Sequence, residues 1–540
     1  MATHEVVNQV PPRIDVDEFS TNLPLVDAVR RYDAGWALGD LERVGRAVGT
    51  EHFQHDAERA NRNEPELKTH DRFGYRIDVV EYDGSYHRII RAAVAEGAHT
   101  AAVAEPRPGA NVARAATFML FAQVEPGHAC PISMTHAAAP VIAQSSLAEK
   151  WMPRLLSREY DGDLGSPAKP SALFGMAMTE KQGGSDVRAN TTTAVDAGDG
   201  SFRLTGQKWF CSAPMSDGFL VLAQTPAGST CFLVPRVLDD GSRNVFLIQR
   251  LKDKLGNRSN ASSEIELDQT VGFLLGENGR GVRTIVEMVN GTRLDCIFGT
   301  TAGMRQATAE ALWHVRHRAA FGALLVDQPA MTAVVADLAL ETEAATTTAL
   351  RLARAADADA SDSERAFSRL GTAVSKYWIC KRGPGHAYEA LECLGGNGYT
   401  EAFPLARRYR EQPVMAVWEG SGNVIALDVL RALAREPESF EAFEAEVALA
   451  SGAHPLFDAH LATTRSLVTS VAGSDDAAAA AQARRLVASL ALALQASLLL
   501  RTAPDAVAST FVESRLGADR SMLYGELPAG ADLAAIVERS

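Results

Sequence analysis

The chain has 540 residues, of which 46% are hydrophobic and 22% charged, and it carries a formal net charge of −14. This composition is typical of a globular protein of roughly three or four domains, and the acidic balance argues against a surface that attracts nucleic acid throughout. The sequence has neither the apolar region of a secretory signal nor about 18 consecutive uncharged apolar residues, so we expect no leader and no membrane span.

The first 173 residues are predicted to form a mainly helical domain, because segments such as Leu25–Val48 and Ala110–Val124 place apolar residues at helical spacing. From 174 to 275 the chain is rich in Val, Thr, Phe and Leu between turn clusters. Phe219–Ala223 and Thr230–Val234 are typical of buried strands. We therefore expect a compact antiparallel β domain.

Residues 276–436 regain helical periodicity and predict a helical bundle. The tail, 437–540, is Ala- and Leu-rich with a break at 473–476, and it is predicted to be a further helical domain. Its apolar run Leu486–Leu500 is too short for a membrane span and favours a buried helix. The bundle helices are predicted at 283–320, 329–356, 364–394 and 422–435.

Six cysteines are scattered along the chain, without a C-x-x-C pair or a Cys/His cluster of zinc spacing. We therefore expect no metal, and reduced thiols in a cytoplasmic protein.

The segment Met178–Asp186 reads Met-Thr-Glu-Lys-Gln-Gly-Gly-Ser-Asp. Gly184 and its neighbour allow close approach of the backbone to a ligand, the Thr179 hydroxyl can bond a polar ring edge, and Ser185 can bond a phosphate. An ordinary glycine-containing loop is the alternative. The chain has neither a G-x-G-x-x-G sequence after a strand nor a Walker lysine motif, so a Rossmann or P-loop site is not supported.

Three further segments each have two alternative interpretations, one structural and one as part of a ligand-binding site. Phe210 and Ser212 either flank a flat ring or belong to a core strand. Arg318 either ends a helix favourably or reaches a pyrophosphate, with Phe321 and Gln328 following it. The turn at Gly395, Gly396 and Gly398 is either a helix C-cap or a bare backbone against a phosphate.

The segment Val417–Asn423 places Glu419 between Trp418 and a small-residue turn. Removing a proton alpha to a thioester requires a carboxylate in dry, apolar surroundings. The alternative is an acid favoured at a helix start by the dipole.

Taken together, Thr179–Asp186 and Trp418–Asn423 resemble the two signature segments of the acyl-CoA dehydrogenase superfamily. Lys181-Gln182-Gly183 stands where the family usually has Pro-x-Ala. The runs Leu251–Asn260 and Arg408–Glu411, with the long tail, narrow the resemblance to the AidB-like adaptive-response flavoproteins.

The resemblance implies an α+β, mainly α fold: an N-terminal helical domain, a central antiparallel β-barrel, a helical bundle and an extra C-terminal helical domain. It also implies FAD, an acyl thioester substrate, an electron-transfer flavoprotein as acceptor and a homotetramer. Glu419 matches the catalytic base, whereas Thr292, at the position that carries the base in isovaleryl-type members, cannot serve. The matched cofactor-binding residues are Met178, Thr179, Gly184, Ser185, Phe210, Ser212 and Asn423, with Arg318, Phe321, Gln328, Gly395, Gly396 and Gly398 for the FAD of a neighbouring subunit.

AidB-like proteins are also associated with DNA binding and protection from alkylation damage through a basic tail surface. Here the tail has seven arginines, no lysine and thirteen acidic residues. Because duplex binding depends on cationic contacts to phosphates, this composition argues against that alternative.

Overall fold

The computed structural model describes residues 3–165, 169–518, 520 and 522–540. Its contacts divide the chain into two compact units. The sheet unit comprises His52–Pro106 and Glu125–Asp295. The helical unit comprises the residues up to Glu51, Arg107–Val124 and Cys296–Ser540.

Helices account for most of the secondary structure. Their bounds are α1 (Leu23–Arg31), α2 (Leu38–Gly49), α3 (Glu51–Arg62), α4 (Gly84–Ala95), α5 (Ala101–Ala104), α6 (Ala110–Val124), α7 (Ala129–Ala143), α8 (Ala148–Leu155), α9 (Gly281–His317), α10 (Pro329–Ala355), α11 (Asp362–Glu392), α12 (Pro404–Met415), α13 (Gly422–Arg435), α14 (Pro437–Ala448), α15 (Pro455–Ala472), α16 (Asp476–Thr502), α17 (Asp505–Leu516) and α18 (Leu533–Val537).

The strands are concentrated in the sheet unit. Their bounds are β1 (Glu66–His70), β2 (Arg76–Glu81), β3 (Phe174–Ala177), β4 (Thr193–Asp196), β5 (Phe202–Ser212), β6 (Gly218–Thr225), β7 (Gly228–Pro235), β8 (Leu247–Leu251), β9 (Ser262–Leu275), β10 (Ala319–Ala320) and β11 (Ala323–Leu324).

Strands β3 to β9 form one seven-stranded sheet. The pairings β6–β4, β4–β5, β5–β9, β9–β7 and β7–β6 return to their starting strand, so the sheet closes into a barrel. Its interior is filled by aromatic and branched side chains such as Phe219, Phe232 and Ile265, all nearly inaccessible to solvent. The predicted strands at 219–223 and 230–234 are confirmed within β6 and β7.

The barrel is mostly antiparallel, as expected, but two pairings are parallel. β3 runs parallel to β6 over four residue pairs, and β4 meets β6 in parallel through Thr193 and Gln224. A hairpin, β1–β2, also lies in the stretch expected to be helical.

The helical unit confirms the four predicted bundle helices as α9, α10, α11 and α13, with ends within a few residues of expectation. Helix α12 was not predicted, because Pro404, Pro413 and several charged residues obscure its periodicity. The tail break at 473–476 separates α15 from α16 as expected.

Helix α16 includes the apolar run Leu486–Leu500. Among the described residues it is the one helix whose length and composition would allow a membrane crossing, but 72% of its most apolar window is buried inside the protein. The structure therefore confirms the interpretation of this run as a buried helix.

Candidate active site

The loop that follows β3 presents Met178, Thr179, Gly183, Gly184 and Ser185 at the surface of the sheet unit. Met178 and Thr179 are half-buried, and Ser185 is exposed. The Thr179 carbonyl accepts the N–H of Trp209 at 2.8 Å, which fixes the loop to β5. A Cβ added at Gly184 would lie 2.6 Å from Thr179 Oγ1, so a side chain at this position would displace the threonine. The result is a bare backbone beside two hydroxyl groups, which fits a ligand with polar ring edges and phosphate oxygens.

Glu180 anchors this loop from inside. Its Oε1 accepts from Lys208 Nζ at 2.8 Å, with both side chains almost fully buried. Its Oε2 accepts from the N–H and hydroxyl of Thr191 at 2.6 and 3.0 Å. Burial raises the Glu180 pKa, but the hydrogen bonds from Lys208 and Thr192 outweigh that effect and hold the pKa below its usual value. This carboxylate is therefore a structural partner of the loop.

Phe210 and Ser212 lie at the end of β5. Phe210 is 49% exposed and so is not the core residue that the structural alternative required. The Ser212 hydroxyl is half-buried and lies 3.1 Å from that of Ser262 on β9. An exposed aromatic face beside a hydroxyl suits the edge of a flat ring.

The turn between α12 and α13 carries Glu419 in the helical unit. Glu419 has φ of 58°, in the left-handed region that few residues other than glycine adopt, and Gly420 has φ of 108°. Because the turn lies before the Ser421 N-cap, Glu419 is not the helix-start acid of the alternative interpretation.

The surroundings of this turn are partly apolar. Trp418 packs against the buried cluster of Cys296, Cys380 and Met415. The Trp418 indole N–H is buried with no acceptor among the described residues. Val417, which precedes Trp418, is 64% exposed and so adds little to the apolar surroundings of the turn.

A buried lysine holds the turn, and an exposed hydrogen bond holds its flank. Lys376 Nζ, from α11, donates to the carbonyl oxygens of Trp418 at 2.9 Å and Gly420 at 2.5 Å. Asn423, at the start of α13, accepts from Arg484 Nε of the tail helix α16 at 2.7 Å. The tail therefore contacts the segment that carries Glu419, which sequence inspection did not suggest.

The residues expected to serve a neighbouring subunit lie at the surface of the helical unit. Phe321 is fully exposed with φ of 53° in the turn between β10 and β11. Gln328 donates to the Ala320 carbonyl at 2.9 Å. Arg318 donates to the Asn8 carbonyl. Within this chain, Gln328 and Arg318 thus support the turn that displays Phe321.

The glycine turn after α11 divides into two kinds of position. Gly395 and Gly396 are exposed, and an added Cβ would meet nothing within 4 Å. Gly398 is buried, and an added Cβ would lie 2.1 Å from the Leu391 carbonyl oxygen. The first two are open to a ligand, whereas the third is required for packing.

A cavity of about 430 Å³ lies elsewhere in the sheet unit. Tyr82, Tyr86, His87, Tyr160 and Asp217 line it. None of the site residues predicted from the sequence is among the residues that form its wall.

All six cysteines are buried as free thiols. Burial raises the pKa of Cys211, Cys231 and Cys393 to about 12. Within the described part of the chain, no group of three or more His, Cys, Asp and Glu side chains could hold a metal ion.

Comparison with family models matches three regions of the chain. Residues 8–162 match the adaptive response protein AidB N-terminal domain, 175–270 the acyl-CoA dehydrogenase middle domain, and 279–434 the acyl-CoA dehydrogenase C-terminal domain.

Relatives and solved structures agree with these matches. AidB of Escherichia coli (strain K12) is 45% identical over 460 residues, covering 84% of this chain and 85% of that protein. Acyl-CoA dehydrogenase family member 11 of Caenorhabditis elegans is 29% identical, covering 75% of this chain and 68% of that protein. The crystal structure of C. elegans ACDH-11 in complex with C11-CoA superimposes with a TM-score of 0.87 at 25% identity, covering 97% of this chain and 94% of that one.

Proposed function

Because the chain belongs to the acyl-CoA dehydrogenase family, on the branch that carries the AidB N-terminal domain, we propose that Glu419 removes the alpha proton of an acyl thioester. The family consists of FAD-dependent oxidoreductases that act on CH–CH bonds. FAD, held by the loop after β3 and the end of β5, would supply the acceptor for the beta hydrogen as hydride. The protein supplies a positioned carboxylate, a dry wall and a binding surface for the cofactor.

The observation that carries this proposal is the setting of Glu419. Its turn is fixed on both sides by Lys376 and packs through Trp418 onto Cys296, Cys380 and Met415. A carboxylate carried by a turn that is fixed in this way suits a general base, because proton transfer depends on geometry first. Thr292, by contrast, is buried and directs its hydroxyl to backbone carbonyls of its own helix.

The cofactor is proposed to bind the loop after β3 and the end of β5. Thr179, Gly184 and Ser185 would contact the polar ring edge and the pyrophosphate, with Met178, Phe210 and Ser212 beside the ring. The support is the bare backbone at Gly184 and the exposed face of Phe210. Asn423 would contact FAD next to the base.

A homotetramer is proposed from the family resemblance. Arg318, Phe321, Gln328, Gly395 and Gly396 would then reach the FAD of a neighbouring subunit, and their surface positions support this role. Gly398 is withdrawn from direct contact because it packs against Leu391. An electron-transfer flavoprotein as acceptor and a cytoplasmic location complete the proposal.

The DNA-binding alternative receives little support from the tail. Four of its seven arginines are ion-paired within the helical unit, and these charges are therefore already balanced by acids. The pairs are Arg465–Glu444, Arg501–Glu446, Arg515–Asp337 and Arg539–Glu343.

The test is anaerobic titration of the flavin-loaded protein with short, branched and long acyl-CoAs, following flavin absorbance. Glu419→Gln is expected to retain FAD and to reduce it at least about 10²-fold more slowly with the substrate that bleaches wild type. Glu441→Gln, an exposed acid on α14, is the control and is expected to match wild type. Undiminished reduction in Glu419→Gln would refute the assignment of the base.

A further inference from the structure

We propose that Lys376 is the positioning residue of the catalytic turn. Its ammonium group holds the peptide groups on both sides of Glu419 and so fixes where that carboxylate points. The proposal rests on the function proposed for Glu419 above. The control of the turn by Lys376, however, can be tested without any substrate.

The contacts are specific to the turn. Lys376 is 1% exposed, and its Nζ donates to the carbonyl oxygens of Trp418 and Gly420, which precede and follow Glu419. An ammonium group has three donors on a flexible stem, so it can bridge two carbonyl oxygens that do not point the same way. A buried charge is costly unless it is hydrogen-bonded. The two hydrogen bonds to the turn therefore offset the cost of burying the ammonium group.

The turn needs such a restraint. A residue with a side chain is disfavoured in the left-handed region, where its Cβ crowds the following carbonyl oxygen. Glu419 adopts that conformation at φ of 58°. Backbone strain of this kind persists only where the surroundings determine the conformation, and it is concentrated at functional sites. Lys376 holds Glu419 in its strained backbone conformation, because the lysine fixes the carbonyl groups on both sides of that residue.

The lysine itself stands on a rigid support. It belongs to α11, a helix of 31 residues that packs on α12, α13, α14 and α16. The position of Lys376 is therefore set by the core of the helical unit. Through Lys376 the turn is fixed relative to that core. A site held by groups on regular elements is more precise than one held by a loop alone.

Loss of the lysine is expected to release Glu419 without removing its carboxylate. The two carbonyl groups would lose their charged donor, and the turn would relax from its strained conformation. A displacement of about 1 Å at a reacting group can lower the rate about 10²-fold. Binding of the thioester and of FAD should change far less, because Lys376 contacts the turn and not the loop after β3.

The experiment compares full-length, flavin-loaded wild type with Lys376→Met, which keeps the length of the side chain, and with Thr372→Val. Thr372 is a buried residue one helical turn earlier on α11, so its substitution is a matched control for a change in the helix. Amide hydrogen exchange is followed in peptides covering 416–424. The rate of flavin reduction is measured against acyl-CoA concentration.

We expect exchange of 416–424 to quicken at least about tenfold in Lys376→Met and to stay unchanged in Thr372→Val. The limiting reduction rate should fall about 10²-fold, while the half-saturating substrate concentration stays within about twofold and FAD remains bound. Lys376→Arg keeps the internal charge and serves if the methionine variant does not fold. Its planar guanidinium cannot occupy the same place, so exchange should rise there too.

Unchanged exchange across 416–424 in the lysine variants would overturn the proposal, whatever their activity. Faster exchange with an undiminished reduction rate would also overturn it, because the turn would then not position the base. If no acyl-CoA reduces the wild-type flavin, the proposed function fails, whereas faster exchange in the same variants would still support the control of the turn by Lys376.

Discussion

Glu180 in the sheet unit and Glu419 in the helical unit each stand in a turn anchored by a buried lysine. Lys208 anchors the first turn through the carboxylate of Glu180 itself. Lys376 anchors the second through the carbonyl oxygens of Trp418 and Gly420. The carboxylate of the first turn is therefore used to build the loop, whereas the second turn is held through its backbone, and its acid is the one proposed as the base.

The largest expected effect comes from breaking the Glu180–Lys208 pair. Lys208→Met leaves a buried carboxylate without its cation and should lower the free energy of unfolding by about 3–5 kcal/mol. Glu419→Gln should change it by about 0.5 kcal/mol or less. Urea denaturation of both variants checks the contrast. The double variant Glu180→Gln/Lys208→Met removes both charges and should recover part of the lost stability. Equal free energies of unfolding for Lys208→Met and Glu419→Gln would contradict the comparison.

A second prediction concerns the loss of stability at low pH that follows from Glu180. The folded-state pKa of Glu180 lies below 4.5, the value expected in the unfolded chain. Stability from this carboxylate is therefore fully present above about pH 4.5 and is lost as the pH falls through the lowered pKa. Urea denaturation followed from about pH 6 down to about pH 2 should show this loss in wild type. Glu180→Gln, already less stable, should lack that part of the pH dependence, and an identical pH profile would contradict the assignment.

A smaller effect is expected from a substitution at Gly184, in the loop that Glu180 anchors. Gly184→Ala forces Thr179 to move, since its Cβ would lie 2.6 Å from the threonine hydroxyl. We expect FAD affinity to fall about tenfold, or about 1.4 kcal/mol, with stability nearly unchanged. Equilibrium titration of the apoprotein with FAD measures this change. Gly39→Ala, at an exposed position on α2 with open space around it, is the control for substitution at a glycine outside the proposed cofactor site.

The smallest effect should follow Arg484→Ala. This exposed arginine donates one hydrogen bond to Asn423, and such a bond contributes about 1 kcal/mol or less. Flavin reduction should slow by no more than about fivefold. The neighbouring Arg485→Ala is the matched control and should leave the rate unchanged. Loss of duplex binding in either variant, measured by gel retardation at low salt, would instead favour the DNA-associated role.

Much of the fold could be predicted because its helices are long and periodic. Helices α9, α10, α11 and α13 follow their apolar spacing, and β6 and β7 are continuous apolar runs. The hairpin β1–β2 could not be predicted in this way, because none of the residues of β1 is fully buried and its alternation is weak. The parallel pairing of β3 with β6 is a long-range contact that strand spacing does not encode.

In the candidate site, too, some residues could be predicted from the sequence and others could not. Local motifs identified Thr179, Ser185 and Glu419, because their neighbours in sequence are also their neighbours in space. The supporting lysines escaped notice, since Lys208 and Lys376 lie far along the chain from the turns they hold. An isolated lysine in a strand or helix carries no local signal of its partner.

The six buried thiols have a practical consequence for spectroscopy. Thiolates are the reactive form, and buried cysteines whose pKa is raised to about 12 react slowly with maleimides. A single cysteine introduced at Phe73, which is 70% exposed in the turn between β1 and β2, would then be the preferred site of labelling in the folded protein. The chain thus accepts a fluorophore or spin label at a chosen surface position without prior removal of its own cysteines.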